Sequence, residues 1–336
     1  MWCLGNEMDG PWQVGHKTAE EYGRIANEVG KAIKLFDPTL ELVACGSSNA
    51  QMPTFPQWEE TVLDHCYDVS DYISLHLYFR KDSDTATFLA SSLEMDSFIE
   101  SVIDVCDYVK AKKRSKKTMY LSFDEWNVWF HSNQKDKEQP AWIVGPSLLE
   151  DVYTFEDALV VGCMLNSLLR HCDRVKVACL AQLVNTIAPI MTETGGSAWR
   201  QTIYWPYYYA SRYGRGEVLD IRLDVPSYEN ANHGNVPFAD CIAVYHTDIK
   251  ELDIFVINRN QEESLEMSFD LSSFGNTCTV LEHITLSHAD LDAVNDKDNP
   301  DEVYPEVVAV NAKMECGSYR ASLGSLTWNL LRLSFE

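Results

Sequence analysis

Two carboxylates that each close a short apolar run constrain this chain more than any other feature. Glu7 follows Met1-Trp2-Cys3-Leu4 in Gly5-Asn6-Glu7-Met8-Asp9-Gly10-Pro11-Trp12-Gln13. Glu125 follows Met119-Tyr120-Leu121 in Ser122-Phe123-Asp124-Glu125-Trp126-Asn127-Val128-Trp129. Each run reads as a strand feeding a loop, which puts each glutamate at a strand's C-terminal tip. A buried strand needs a neighbour on each side, and nothing precedes the first of these two. The sequence is therefore expected to begin inside a fold.

Up to about Gly216 short apolar runs alternate with amphipathic stretches, the pattern of repeated βα units. Thr18-x-x-Glu21 is a capping box, and Tyr22, Ile25, Ala26, Val29, Ile33 and Phe36 follow at helical spacing until Asp37-Pro38 stops the helix. Strands are expected at 40–45, 72–78 and 175–184. Helices are expected near 55–66, 93–112 and 155–170. The aromatic segment from Trp199 to Tyr213 reads as the last helix, with Pro206 inside it. That makes five βα units. A (β/α)8 barrel needs eight and roughly 250 residues, so the expectation is a partial barrel of about strands 4 to 8, truncated at its N-terminus.

From Glu217 the texture changes to short alternating segments such as 241–245, 252–257, 277–281 and 326–335, and helical periodicity disappears. An antiparallel β-sandwich is expected there. The domains are placed at 1–216 for the barrel portion and 217–336 for the sandwich. The acidic stretch from Asp290 to Glu306 reads as a long exposed loop.

The 336 residues are enough for two domains, and 51 acidic residues against 27 basic ones give a formal net charge of -24. Such a surface repels phosphate backbones and anionic lipids, which argues against nucleic acid and membrane as partners. No run is long and apolar enough to span a bilayer. Ten cysteines are scattered without a C-x-x-C pair, which points to free thiols in a reducing, cytoplasmic compartment and to no metal site. His65-Cys66 and His171-Cys172 sit on predicted helices, where adjacent side chains diverge, and are not read as ligands.

Glu7 and Glu125 are 118 positions apart (125 minus 7), with three βα units between them. If they end the fourth and seventh strands of an eight-strand ring, they face one another across its mouth, where this fold places its chemistry. Two carboxyl groups about 5 Å apart can cleave a glycosidic bond with retention, one as nucleophile and the other as acid and then base.

Together these segments resemble glycoside hydrolase family 51, the α-L-arabinofuranosidases of a retaining (β/α)8 clan. Residues 5–13 look like the family's acid/base segment and 123–129 like its nucleophile segment. Ser74-Leu75-His76-Leu77-Tyr78 and Ala181-Gln182-Leu183-Val184-Asn185-Thr186-Ile187-Ala188-Pro189 match two further segments in order, and the likeness runs on through the sandwich.

The resemblance implies Glu7 as proton donor and Glu125 as nucleophile. It also implies Asn6 on the sugar 2-hydroxyl, Tyr78 orienting the nucleophile, Gln182 reaching the sugar, and Trp129 walling the pocket. His76 is expected as a supporting hydrogen-bonding residue. Further implications are an exo-acting enzyme on arabinofuranosyl-containing oligosaccharides or polysaccharides, no cofactor, and a homo-oligomer when full length. An endoglucanase or β-xylosidase of the same family, or an inactive truncated chain serving as a noncatalytic β-sandwich protein, are the alternatives.

Overall fold

The computed structural model describes residues 1–275, 277–309 and 317–335. They fall into two compact units that interleave along the sequence. The first comprises Met1–Tyr78, Glu94–Asn127 and His171–Ala181, and the second comprises Phe79–Leu93, Val128–Arg170 and the chain from Gln182 onward.

The first unit is built on a five-stranded sheet in the order β1 (Trp2–Cys3), β2 (Leu42–Ala44), β3 (Tyr72–Phe79), β4 (Tyr120–Val128) and β5 (Val175–Leu180). The pairs β1–β2, β2–β3 and β4–β5 are parallel, and sequential order with helical crossovers marks a partial (β/α)8 barrel. β1 and β5 are the two edges. Both residues of β1 are exposed, whereas Leu42, Val43 and Ala44 of β2 are wholly buried.

Helix α1 (Ala19–Phe36) carries the expected capping box, with Thr18 accepting from the Glu21 N–H and the Glu21 carboxylate accepting from the Thr18 N–H at 3.0 Å. Its buried face is Tyr22, Gly23, Ala26 and Gly30, while Ile25, Val29 and Phe36 are exposed. The glycines explain the difference. A Cβ on Gly23 would lie 3.0 Å from His65, and one on Gly30 would lie 2.7 Å from Val69, so small residues set how closely α1 approaches its neighbour. That neighbour is α2 (Gln57–Cys66), whose Trp58 stacks on Tyr22 at 5.6 Å. The Tyr22 hydroxyl accepts from the Cys45 N–H, and Trp58 Nε1 donates to the Cys45 carbonyl. Aromatic side chains on two helices thus fix the C-terminal end of β2. The short α3 (Thr85–Leu89) precedes α4 (Ser92–Lys113), which packs Phe98 against Phe123 of β4.

In the second unit, α5 (Asn133–Lys137) and α6 (Phe155–Arg170) follow β4. A hairpin of β6 (Ile190–Thr192) and β7 (Ala198–Arg200) leads into α7 (Tyr204–Tyr213). Trp199 therefore lies in a strand and not in the expected helix, because Gly195-Gly196 turns the chain back first. Pro206 falls in the first turn of α7, where a missing N–H costs no intrahelical bond.

The remaining strands are β8 (Glu217–Leu219), β9 (Ser227–Asn230), β10 (Gly234–Pro237), β11 (Ala239–His246), β12 (Glu251–Asn258), β13 (Leu265–Asp270), β14 (Cys278–Leu286), β15 (Glu306–Val307), β16 (Ser318–Leu323) and β17 (Thr327–Phe335). Six of them form an antiparallel sheet in the order β15-β14-β17-β12-β11-β8. One face meets the β13–β16 pair over a core that includes Ile254, Val256, Leu331, Leu333, Met267 and Leu323. This is the sandwich the alternation predicts. The other face receives α6, where Gly162 leaves room for Trp328, since a Cβ there would lie 2.6 Å from the indole.

The acidic loop from Asp290 is largely exposed, as expected. It is nevertheless anchored by buried Asn295, whose amide donates to the carbonyls of Arg200 and Val303. Among the described residues no two cysteines are joined by a disulfide, and Cys316 lies outside them. Among the described residues no helix is long and apolar enough to cross a membrane.

Candidate active site

At the C-terminal end of the five-stranded sheet three carboxylates surround one imidazole. Glu125 lies within β4 and not at its tip, and the reason it still joins the site is a bulge. Four residues of β4, from Phe123 to Trp126, span three of β5, from Ala178 to Leu180. The extra residue breaks the strand's alternation, so consecutive Asp124 and Glu125 both reach the same imidazole. Glu7 likewise sits beyond its strand, in the loop that follows β1, with φ +46° in the left-handed region. That backbone is held by the Gly10 N–H donating to the Glu7 carbonyl at 2.9 Å and the Lys17 N–H donating to Met8 at 2.8 Å. Buried Asp9 accepts from the Ser48 N–H and hydroxyl, tying the loop to the end of β2. Gly46 completes that end, since a Cβ there would fall 2.1 Å from the Ser74 carbonyl.

His76 and Tyr78 extend from one face of β3, two residues apart. His76 Nδ1 is 3.1 Å from Glu7 Oε1 and 3.6 Å from Glu125 Oε2, and Nε2 is 3.2 Å from Asp124 Oδ1. The Tyr78 hydroxyl donates to Glu125 Oε2 at 3.1 Å. Trp12 Nε1 donates to Glu7 Oε2 at 2.6 Å, with Gln13 Nε2 further off at 3.5 Å. Asp124 Oδ2 accepts from Ser122 Oγ at 3.0 Å and is 3.8 Å from the Cys3 thiol. Polar atoms of Glu7, His76 and Glu125 all lie within 4.8 Å of one another, which brings the two glutamates to the separation of a retaining pair.

The electrostatics follow from this crowding. Burial would depress the His76 pKa, but hydrogen bonds to Asp124 and Glu7 and the charge of Glu125 outweigh it and raise the value to about 9. His76 is thus an imidazolium at neutral pH, with both nitrogens donating and no lone pair for a metal ion. Burial raises Glu125, aided by the like charge of Glu7, above the ordinary carboxylate range. For Glu7, burial pushes upward, yet the hydrogen bonds from His76 and Trp12 prevail and hold it below that range. Burial and the Glu125 carboxylate drive the Tyr78 phenol well up, so it stays a donor.

The first unit thus brings together Glu7, Glu125 and Tyr78 of the sequence-predicted site residues, and Asn6 precedes Glu7 with an exposed side chain. Trp129 and Gln182 belong to the second unit. There Trp129 stacks on Phe130 at 4.3 Å and its backbone N–H donates to the Phe79 carbonyl, while Gln182 is exposed with its backbone N–H donating to the Ile187 carbonyl. Asp124, Trp12 and Gln13 were not singled out from the sequence. The alternation in Ser74-Leu75-His76-Leu77-Tyr78 is the signal that sets His76 on the same strand face as Tyr78.

A partial (β/α)8 barrel followed in sequence by a β-sandwich, with two glutamates meeting at the C-terminal end of the parallel sheet, defines the class. The profile of the alpha-L-arabinofuranosidase C-terminal domain matches residues 124–325. An intracellular exo-alpha-(1->5)-L-arabinofuranosidase of Halalkalibacterium halodurans is 57% identical over 99% of this chain and 66% of its own length. The protein of the same name from Acetivibrio thermocellus is 53% identical over 99% and 67%. Among solved structures, a family 51 alpha-L-arabinofuranosidase of Bifidobacterium longum superposes with a TM-score of 0.91 at 38% identity, covering 99% of this chain and 66% of that one. The chain belongs to the family 51 α-L-arabinofuranosidases. It spans about two thirds of the length of the relatives it matches.

Proposed function

We propose that this chain carries the acid/base and nucleophile half of a retaining α-L-arabinofuranosidase, which releases terminal α-L-arabinofuranosyl groups from arabinose-containing oligosaccharides or polysaccharides. The observation that carries the reading is the approach of Glu7 and Glu125 within 4.8 Å of each other and of His76. That spacing leaves no room for a water between acid and base and favours double displacement. Glu125 attacks the anomeric carbon while Glu7 protonates the departing oxygen, and Glu7 then deprotonates the water that hydrolyses the glycosyl-enzyme. Tyr78 and the His76 imidazolium steady the Glu125 carboxylate as its charge is consumed and restored.

In the empty site the two pKa directions are opposite to these duties, with Glu7 the more acidic group. A bound sugar alters both, because it excludes water from Glu7 and, once Glu125 is esterified, removes the neighbouring charge. The assignment of roles rests on the family segments at 5–13 and 123–129. Asn6, Trp129 and Gln182 complete the reading as sugar-contacting residues. The division into 1–216 and 217–336 is part of the same proposal, supported by the six-stranded antiparallel sheet, whose first strand begins at Glu217. An intracellular setting belongs to the same proposal and is supported by the relatives' being named intracellular.

The test is hydrolysis of an aryl α-L-arabinofuranoside by the purified chain, with the product anomer followed by NMR. Release of the α-anomer first supports the reading. Turnover of a xyloside or a glucan without arabinofuranoside cleavage refutes the substrate, and inactivity on all three leaves the noncatalytic alternative.

A further inference from the structure

The turn after Glu7 positions a second group on the same carboxylate. Trp12 is 55% exposed on the turn Gly10-Pro11-Trp12-Gln13, yet its indole folds back to reach Glu7 Oε2 at 2.6 Å. Only glycine at position 10 permits this, since a Cβ there would lie 2.4 Å from the indole ring. The two oxygens of Glu7 therefore face different partners. Oε1 meets His76 Nδ1, which donates when charged and accepts when neutral, so a proton can sit between them. Oε2 meets an indole N–H, which donates and never accepts. The indole occupies one lone pair of Oε2 and so favours the ionised carboxylate over one protonated on that oxygen. Oε2 is also the oxygen turned away from buried His76, the one from which a proton must leave toward a departing alcohol.

We propose that Trp12 is a positioning residue that caps the proton-delivering oxygen of Glu7 and favours the ionised carboxylate before a sugar binds, so that displacement of the indole by the leaving-group oxygen raises the proton affinity of Oε2. The inference rests on the acid role of Glu7 for its last step and on geometry alone for its first. Displacement forms a hydrogen bond from protonated Glu7 to the leaving oxygen and breaks the indole bond, with the proton reaching Oε2 from solvent or from Oε1. Because the indole is exposed, water receives the freed N–H at little cost.

The deciding experiment needs no turnover. The chain is labelled with 13C at glutamate carboxyls, the Glu7 resonance is assigned by its disappearance in Glu7→Gln, and its titration is followed. In the parent Glu7 titrates below an ordinary glutamate. Trp12→Phe moves the midpoint upward, and Gly10→Ala, which expels the indole without removing it, moves it the same way. Gln13→Ala leaves it nearly unchanged, since 3.5 Å is a marginal bond. An unshifted midpoint in both Trp12→Phe and Gly10→Ala overturns the proposal. A parent inactive on arabinofuranosides with these shifts intact would count against the enzymatic reading and leave the capping of Glu7 standing.

Discussion

Asp240 in the second unit and Glu7 in the first are both withdrawn carboxylates, and they are paired in opposite ways. Asp240 is buried and receives the guanidinium of Arg259, that of Arg170 at 2.8 Å, the Asn166 amide at 3.2 Å and the Ser92 hydroxyl at 3.3 Å. Arg170 and Arg259 outweigh the cost of burying the charge and hold Asp240 below the ordinary range. Around His76, by contrast, three carboxylates share one imidazolium, and Glu7 and Glu125 shift in opposite directions. A saturated network fixes charge in place. An undersupplied one leaves protons free to be exchanged, which is what acid/base chemistry requires.

The largest effect expected of that contrast is on activity. Glu125→Gln should lower turnover of an activated arabinofuranoside by about ten-thousand-fold or more, because an amide cannot attack the anomeric carbon. The same variant should unfold in urea no earlier than the parent, since it removes a carboxylate whose ionisation burial and Glu7 disfavour. Arg259→Met should do the reverse. Stranding Asp240 without that guanidinium should cost about 3–5 kcal/mol of stability, seen as a lower urea midpoint, whereas the titration of Glu7 and Glu125 stays as it was. Equal urea midpoints for parent and Arg259→Met would erase the distinction between the two networks.

His76→Gln sharpens the comparison through pH. The imidazole's pKa rises from 6.5 to about 9 on folding, so its stabilising contribution is complete below about 6.5 and disappears as pH climbs through about 9. The parent should therefore exceed His76→Gln in stability at pH 6 and lose that advantage by pH 10, measured as unfolding midpoints across the range. Smallest is Tyr78→Phe, which removes one hydrogen bond to Glu125 and should cost about tenfold in kcat/KM with little change in stability.

Much of this was legible in the sequence because local chemistry and tertiary demand agree. The capping box, the Asp37-Pro38 stop and the alternating segments of the sandwich needed no knowledge of neighbours. Burial on α1 did not follow from its apolar residues, since Gly23 and Gly30 set the contact with α2 and left Ile25 and Val29 outside. The strand at Ala198–Arg200 was hidden by the aromatic run after it, although Gly195-Gly196 signalled a turn. At the site, the glutamates stood out as carboxylates closing short apolar runs, although Glu125 lies inside β4 and not at its end. Asp124 did not, because only the bulge in β4 turns it toward His76, and bulges leave no mark in an alternation pattern. Trp12 was invisible for a similar reason, as its reach to Glu7 depends on the space that Gly10 leaves.

The role of each glutamate is the central claim, and trapping tests it most directly. The chain would be incubated with an arabinofuranosyl substrate that forms its glycosyl-enzyme quickly and releases it slowly, then digested and mapped by mass spectrometry. The account predicts one added arabinofuranosyl mass on the peptide that contains Glu125, absent in Glu125→Gln and still present in Glu7→Ala when the leaving group is a good one. Label on Glu7, the glutamate that is the more readily ionised in the empty site, would reverse the assignment of acid and nucleophile.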